Sequence, residues 1–175
     1  MRQLLLSLVL VLAVASCGKK PTGGNENPTN PPGGDGGGGG GGGGSHKKYN
    51  LTVFSGVYCS VCKQKLPETQ GLMVSELGDL KANVNGTVFV TNGDPASQHP
   101  TQEMADGYRD KYLPGFQAKP DAWRCKTYKD MLGDASCELP AAVVTTEDGT
   151  VITKVVGNQF VPANLVALLK EKLNE

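Results

Sequence analysis

The chain has 175 residues, with 17 basic and 17 acidic side chains, so its formal net charge at pH 7 is zero. No excess of basic residues argues for binding nucleic acid, and no nucleic acid is expected among its partners. More than half of the 24 glycines precede residue 46. The rest of the chain has the length of one ordinary domain.

The N-terminus is predicted to be an export signal over residues 1–16. It has a positively charged start and an apolar run at 4–14 that is too short to span a bilayer comfortably. The run ends in Val14-Ala15-Ser16-Cys17, which resembles a bacterial lipobox, where lipid is attached to the cysteine and the peptide is cut just before it. A lipid anchor at Cys17 makes the membrane a partner. The alternative is an ordinary signal peptide cut nearby, with Cys17 incidental.

The predicted location is the bacterial cell envelope, facing the periplasm or the cell surface. Gly18 follows the cysteine, in place of the Asp associated with inner-membrane retention, which favours the outer membrane. Residues 17–48 carry the anchor and a linker rich in Pro, Gly and Asn, with unbroken glycine at 36–44. Such a composition cannot build a core, so a disordered tether is expected.

Two cysteines separated by two residues, Cys59 and Cys62, lie where a predicted strand gives way to a predicted helix. Residues 50–54 suit a buried strand, residues 55–58 a short loop, and residues 63–77 a helix. A helix N-terminus favours an anion and would stabilise a reactive Cys59 thiolate, with the less exposed Cys62 as resolving thiol. The same spacing occurs in half of a zinc site and in structural disulfides.

The run LTVFSGVYCSVCKQKLPE, residues 51–68, resembles the active-site segment of the thioredoxin-like superfamily. It shares the aromatic strand residue Phe54, the aromatic Tyr58 before the first cysteine, Lys63 after the second, and the helix-kinking Pro67. The group it resembles most is the TlpA type of membrane-anchored, extracytoplasmic thiol-disulfide oxidoreductases.

This resemblance implies an α/β thioredoxin-like fold over residues 49–175, with a central mixed β-sheet flanked by helices. It implies that Cys59 and Cys62 are catalytic, without a cofactor, and that the partners are exported proteins with thiols or disulfides and an unidentified electron donor or acceptor. Three departures matter. The strand position that usually holds a buried Asp is Val53, the position where TlpA-type proteins often have Trp is Tyr58, and the position where some of them carry an acid is Lys65. Reductase, oxidase and isomerase roles stay open, because thiol pKa values set much of the redox potential.

The middle of the chain carries weaker signals. Residues 87–91 are predicted as a buried strand, residues 92–95 as a turn, and residues 102–112 as a helix. The chain that follows lacks a clear pattern, with a short strand as one possibility at 122–127 and a turn or short helix at 131–136.

The C-terminal region is clearer. Two strands at 141–146 and 151–156 flank a hairpin turn at 147–150, and Pro162 suits the first turn of a final helix. The apolar face of that helix consists of residues spaced at three and four, namely Leu165, Val166, Leu168, Leu169 and Leu173.

Pro140 opens the first of these strands and matches the cis-proline of the thioredoxin-like fold by its context. The resemblance implies that Pro140 packs beside the dithiol and presents the backbone of Leu139 to an extended substrate. Together with Tyr58, these two residues are the predicted substrate-binding residues.

Four cysteines remain once Cys17 is set aside, and export places them in an oxidising compartment. Cys125 and Cys137 are predicted to form a structural disulfide. The alternatives are a second redox relay near Pro140 and a zinc site built from all four cysteines.

Two further functions are compatible with the same fold. Copper-delivering Sco-type proteins use two cysteines and a histidine near the later strand. Here the cysteines have two intervening residues and not three, and neither His46 nor His99 lies near residues 125–140, so no metal site is predicted. The third hypothesis is a binding module whose CxxC disulfide is inert.

Overall fold

A computed structural model of the protein describes residues 47–92, 99–121, 125–134 and 136–175. The predicted signal peptide, the lipobox at Cys17 and most of the linker lie outside these residues, as does most of the predicted turn at 92–95. The elements follow in the order β1 (Tyr49–Gly56), α1 (Ser60–Leu77), a 3₁₀ turn (Gly78–Asn83), β2 (Val84–Thr91), α2 (Gln102–Tyr112), β3 (Gln117–Pro120), α3 (Lys126–Leu132), β4 (Ala141–Thr146), β5 (Val151–Val156), a second 3₁₀ turn (Gly157–Gln159) and α4 (Pro162–Leu173).

The described strands form one mixed sheet in the order β3-β2-β1-β4-β5. At its centre, Val53 of β1 lies opposite Val88 of the parallel β2 and opposite Ala142 of the antiparallel β4. β3 extends the sheet parallel to β2, and β5 extends it antiparallel to β4. The mixed sheet flanked by helices confirms the predicted fold class.

Successive residues of a strand point to opposite faces, and the two faces of this sheet carry cores of different size. The main core includes Leu51 and Val53 of β1 and the buried side chains of α1, α2 and α4. On the other face, a second core (the satellite core) consists of five buried residues, namely Phe54, Cys125, Tyr128, Ala141 and Val143. Among the described helices, none is long and apolar enough to cross a membrane.

Several predicted elements are confirmed. Helix α2 spans the predicted residues, and the Thr101 side chain caps it by accepting the N–H of Met104 at 3.2 Å. The β4–β5 hairpin and α4 also follow the prediction, with Pro162 in the first turn of the helix. Of the predicted apolar face of α4, all members are buried except Leu168, which is half-buried.

The region around residue 120 differs from the prediction. The segment without a clear pattern contains β3, and the strand considered at 122–127 is wrong, because Lys126 begins helix α3. Residues 122–124 of that segment lie outside the described part of the chain. β3 has no β-branched or aromatic residue, so it owes its existence to pairing with β2 and not to strand propensity.

Gly86 in β2 permits a close approach that no larger residue allows. A Cβ atom at this position would lie 2.7 Å from the ring of Phe116, which is 5% exposed. We expect Gly86→Ala to lower the free energy of unfolding by about 1–3 kcal/mol, because the overpacked ring has nowhere to move.

Gly107→Ala in α2 is the matched control, because nothing lies within 4 Å of its added Cβ. It should raise stability by about 0.5–1 kcal/mol, since alanine is the better helix former. Urea denaturation of both variants and the parent measures the difference. A Gly86→Ala variant as stable as the parent would contradict this packing.

Candidate functional site

The dithiol lies where β1 ends and α1 begins. The N–H of Val57 donates to the carbonyl of Thr91 on β2 at 3.1 Å, which holds the loop against the neighbouring strand. The N–H of Cys59 then donates to the carbonyl of Gly56 at 3.0 Å, closing a tight turn directly before Ser60 begins the helix. The helix begins three residues earlier than predicted, because Cys59 itself is its N-cap.

The two sulfurs of the dithiol have different environments. Cys59 and Cys62 are joined by a disulfide with their Cα atoms 5.2 Å apart, and Sγ of Cys59 accepts the backbone N–H of Cys62 at 3.1 Å. Cys62 is fully buried, whereas Cys59 is only partly buried. The first turn of α1 contains no acidic side chain that would repel an anion. The free N–H groups at the start of the helix would therefore favour a thiolate at Cys59.

Leu139 lies beside this helix start, and Pro140 follows it directly before β4. The Leu139–Pro140 peptide bond is cis, as the resemblance implies. A Cβ atom built on Gly56 would lie 3.0 Å from Cδ1 of Leu139 and 3.7 Å from Cβ of Cys59, so Leu139 and Cys59 flank the same point of the backbone. The Pro140 carbonyl accepts the N–H of Gly157 at 2.9 Å, which ties the start of β4 to the end of β5.

The rim of the site is apolar and open to solvent. Tyr58 is 71% exposed and Val61 is 44% exposed, on either side of Cys59 in sequence. Large exposed apolar side chains around a reactive group are suited to contacting a protein substrate. Of the three residues predicted to bind substrate, Tyr58 is exposed, Leu139 is partly buried and Pro140 is buried.

Cys125 and Cys137 are also joined by a disulfide, with a sequence separation of 12. They pack with the satellite core, whereas Cys59 and Cys62 pack with the main core, and Leu139 contacts both cores. The four cysteines therefore form two separate pairs. Within the described ranges, no three Cys, His, Asp or Glu residues are grouped in a way that could hold a metal ion.

Some polar contacts that hold the helices in place could not be predicted from the sequence. Asp121 is 2% exposed, and its carboxylate accepts the N–H groups of Thr127 at 2.8 Å and of Tyr128 at 3.4 Å. It therefore caps α3, although it lies five residues before the first residue of that helix, a spacing that fits no capping motif.

Lys65 is another residue whose surroundings could not be predicted. Its ammonium donates to the carbonyl of Phe160 at 2.5 Å. This bond ties the first half of α1 to the segment that leads into α4.

Ser55 and Tyr108 share a buried hydrogen bond of 2.7 Å between β1 and α2. Burial raises the pKa of the Tyr108 hydroxyl, while the bond to Ser55 acts in the opposite direction and lowers it. The hydroxyl group therefore stays protonated throughout the physiological range of pH.

A five-stranded mixed sheet with a CxxC disulfide at the N-terminus of α1 and a cis-proline at the start of β4 defines a thioredoxin-like fold. No family model and no curated protein matches the sequence. The solved structures that share the fold include MTB DsbF in its mixed oxidised and reduced forms and a thioredoxin candidate from Neisseria meningitidis. The first is 14% identical and covers 72% of this chain and 81% of its own, with a TM-score of 0.50. The second is 18% identical and covers 74% of this chain and 77% of its own, also with a TM-score of 0.50.

Proposed function

We propose that the protein is a thiol-disulfide oxidoreductase that exchanges disulfides with exported proteins. The observation that carries this proposal is the asymmetry of the dithiol. Cys59 is partly exposed and its sulfur accepts an N–H group at the start of α1, whereas Cys62 is fully buried. An accessible thiolate next to a protected thiol is the arrangement that disulfide exchange needs.

In the reducing direction, the Cys59 thiolate attacks one sulfur of a substrate disulfide. A mixed disulfide forms, and the other substrate sulfur leaves as a thiolate that takes up a proton. Cys62 then loses its proton and attacks Sγ of Cys59, which re-forms the Cys59–Cys62 disulfide and releases the second substrate thiolate. Two electrons pass from the dithiol to the substrate, and the same steps in reverse oxidise a substrate dithiol.

Substrate binding is proposed to involve Tyr58, Leu139 and Pro140. Leu139 lies next to Cys59, and because proline has no N–H, the backbone of Leu139 is the group that an extended peptide can pair with at the start of β4. The exposed Tyr58 ring adds an apolar contact on the other side of the nucleophile.

Equilibration of the purified protein with glutathione buffers tests whether the dithiol is redox-active. We expect Cys59–Cys62 to open and close reversibly, while Cys125–Cys137 stays bonded, because Cys125 is 5% exposed and a disulfide that stabilises the folded chain resists reduction. Mass mapping of alkylated peptides distinguishes the two pairs. A Cys59–Cys62 bond that does not respond to glutathione would favour an inert binding module, and free thiols at both Cys125 and Cys137 in freshly isolated protein would contradict the structural disulfide.

The location is proposed to be the bacterial cell envelope, through lipid on Cys17. Cys17→Ser should block lipidation and move the protein from the membrane fraction to the soluble fraction, since several acyl chains supply the anchoring and each buried CH₂ contributes about 0.8 kcal/mol. Fractionation of exported protein after a high-salt wash is the measurement. If the exported variant still sediments with membranes, the lipid anchor is wrong.

A further inference from the structure

The segment that leads into Leu139 is held by α3 through a buried tyrosine. Tyr128 is fully buried in the satellite core, where its ring meets that of Phe54 edge-on with 5.4 Å between the centroids. Phe54 belongs to β1, the strand that ends at the dithiol loop. The position of the Tyr128 hydroxyl is therefore fixed relative to the strand that carries the nucleophile.

The Tyr128 hydroxyl has two partners on the segment before Leu139. It donates to Oδ2 of Asp134 at 3.1 Å and accepts the backbone N–H of Glu138 at 3.1 Å. Asp134 in turn accepts the N–H of Ser136 at 2.8 Å and its hydroxyl at 2.5 Å. The disulfide from Cys137 to Cys125 adds a covalent link in the same segment.

The protonation states support these bonds over a wide range of pH. Hydrogen bonds from Ser136 lower the pKa of the Asp134 carboxyl, so it is an ionised acceptor at neutral pH. Burial, followed by the bond to Asp134, raises the pKa of Tyr128, so its hydroxyl remains a donor.

Glu138 directly precedes Leu139, so the Tyr128 hydroxyl fixes the peptide unit next to the proposed substrate-binding backbone. We infer that Tyr128 is a positioning residue that sets the affinity for protein substrates through Glu138 and Leu139, without a part in the thiol chemistry. This inference rests on the proposed function. It differs from a purely structural role, because a structural role would change stability without changing the recognition of substrate.

Tyr128→Phe removes the hydroxyl and leaves the packed ring. Tyr49→Phe is the matched control, because it also removes the hydroxyl of a buried tyrosine and its hydrogen bond, to the Lys172 carbonyl, but at the end of β1 away from the dithiol. Insulin serves as the protein substrate, with dithiothreitol as the reductant. We expect Tyr128→Phe to raise KM for insulin about tenfold, the effect of losing one hydrogen bond at the Glu138 N–H, with kcat within about twofold of the parent. Tyr49→Phe should leave KM unchanged, and glutathione equilibration should give the same Cys59–Cys62 potential for all three proteins.

Equal KM values for Tyr128→Phe, Tyr49→Phe and the parent would overturn the positioning role while leaving the proposed function intact. A parent that does not reduce insulin would overturn both. Should Tyr128→Phe fail to fold, Asp134→Ala supplies the second test, since it frees the Tyr128 hydroxyl and Ser136 together; an unchanged KM in that variant would likewise reject the inference. In folded Tyr128→Phe, the Glu138 amide should exchange its hydrogen faster than in the parent, because its acceptor is gone. Unchanged exchange would contradict the bond from the Glu138 amide to Tyr128, independently of activity.

Discussion

Replacing Cys125 and Cys137 together by serine is expected to lower the free energy of unfolding by about 3 kcal/mol, because the bond closes a loop in the unfolded chain. The sequence separation of the pair is 12. The satellite core that the bond supports has only five buried residues. Helix α3 has seven residues, too few to be stable without tertiary support. The disulfide therefore supplies stability that apolar burial cannot supply on this face of the sheet.

Urea denaturation under oxidising conditions measures this effect. The double-serine variant of Cys59 and Cys62 is the control. That pair has a sequence separation of only three, so its removal relieves less constraint on the unfolded chain. If the Cys125/Cys137 variant is as stable as the parent, the structural role of this disulfide is wrong, and a redox role for the pair gains support.

Cys59→Ser is expected to reduce insulin reduction to the uncatalysed background rate. A serine hydroxyl is not ionised at neutral pH, and Cys62 is fully buried, so no other sulfur of the dithiol can reach the substrate. Cys62→Ser should also stop turnover, but only after the first step, because the mixed disulfide at Cys59 then has no resolving thiol.

Turbidity of reduced insulin follows the rate, and Ser60→Ala is the matched control, since it changes a residue between the two cysteines and leaves both sulfurs. The control should keep turnover within a few-fold of the parent. Full activity of Cys59→Ser would contradict the assignment of the nucleophile.

The parts of the fold that could be predicted are those that local sequence specifies. Strand β1 is rich in β-branched and aromatic residues, and the β4–β5 hairpin combines two apolar strands with a turn at 147–150. The position of the dithiol at a helix start follows from the strand that precedes it. The cis bond at Pro140 follows from the resemblance, since composition alone does not distinguish a cis from a trans proline.

The remainder depends on contacts between distant segments. β3 forms because it pairs with the free edge of β2. Helix α3 begins where Asp121, five residues before the helix, accepts the N–H groups of Thr127 and Tyr128. The bond from Tyr128 to Glu138 joins residues ten positions apart across a loop. No periodic pattern or capping spacing marks such pairs, so the surroundings of Leu139 could be described only from the structure.

The central claim is that Cys59 attacks and Cys62 resolves, and trapping of mixed disulfides tests it most directly. Cys62→Ser and Cys59→Ser are produced in cells at equal levels, alkylated rapidly, and separated without reductant, with mass mapping of the linked residue. The account predicts that Cys62→Ser accumulates partner proteins bound through residue 59 and released by dithiothreitol, whereas Cys59→Ser accumulates few. Equal trapping by the two variants, or trapping by neither, would contradict it.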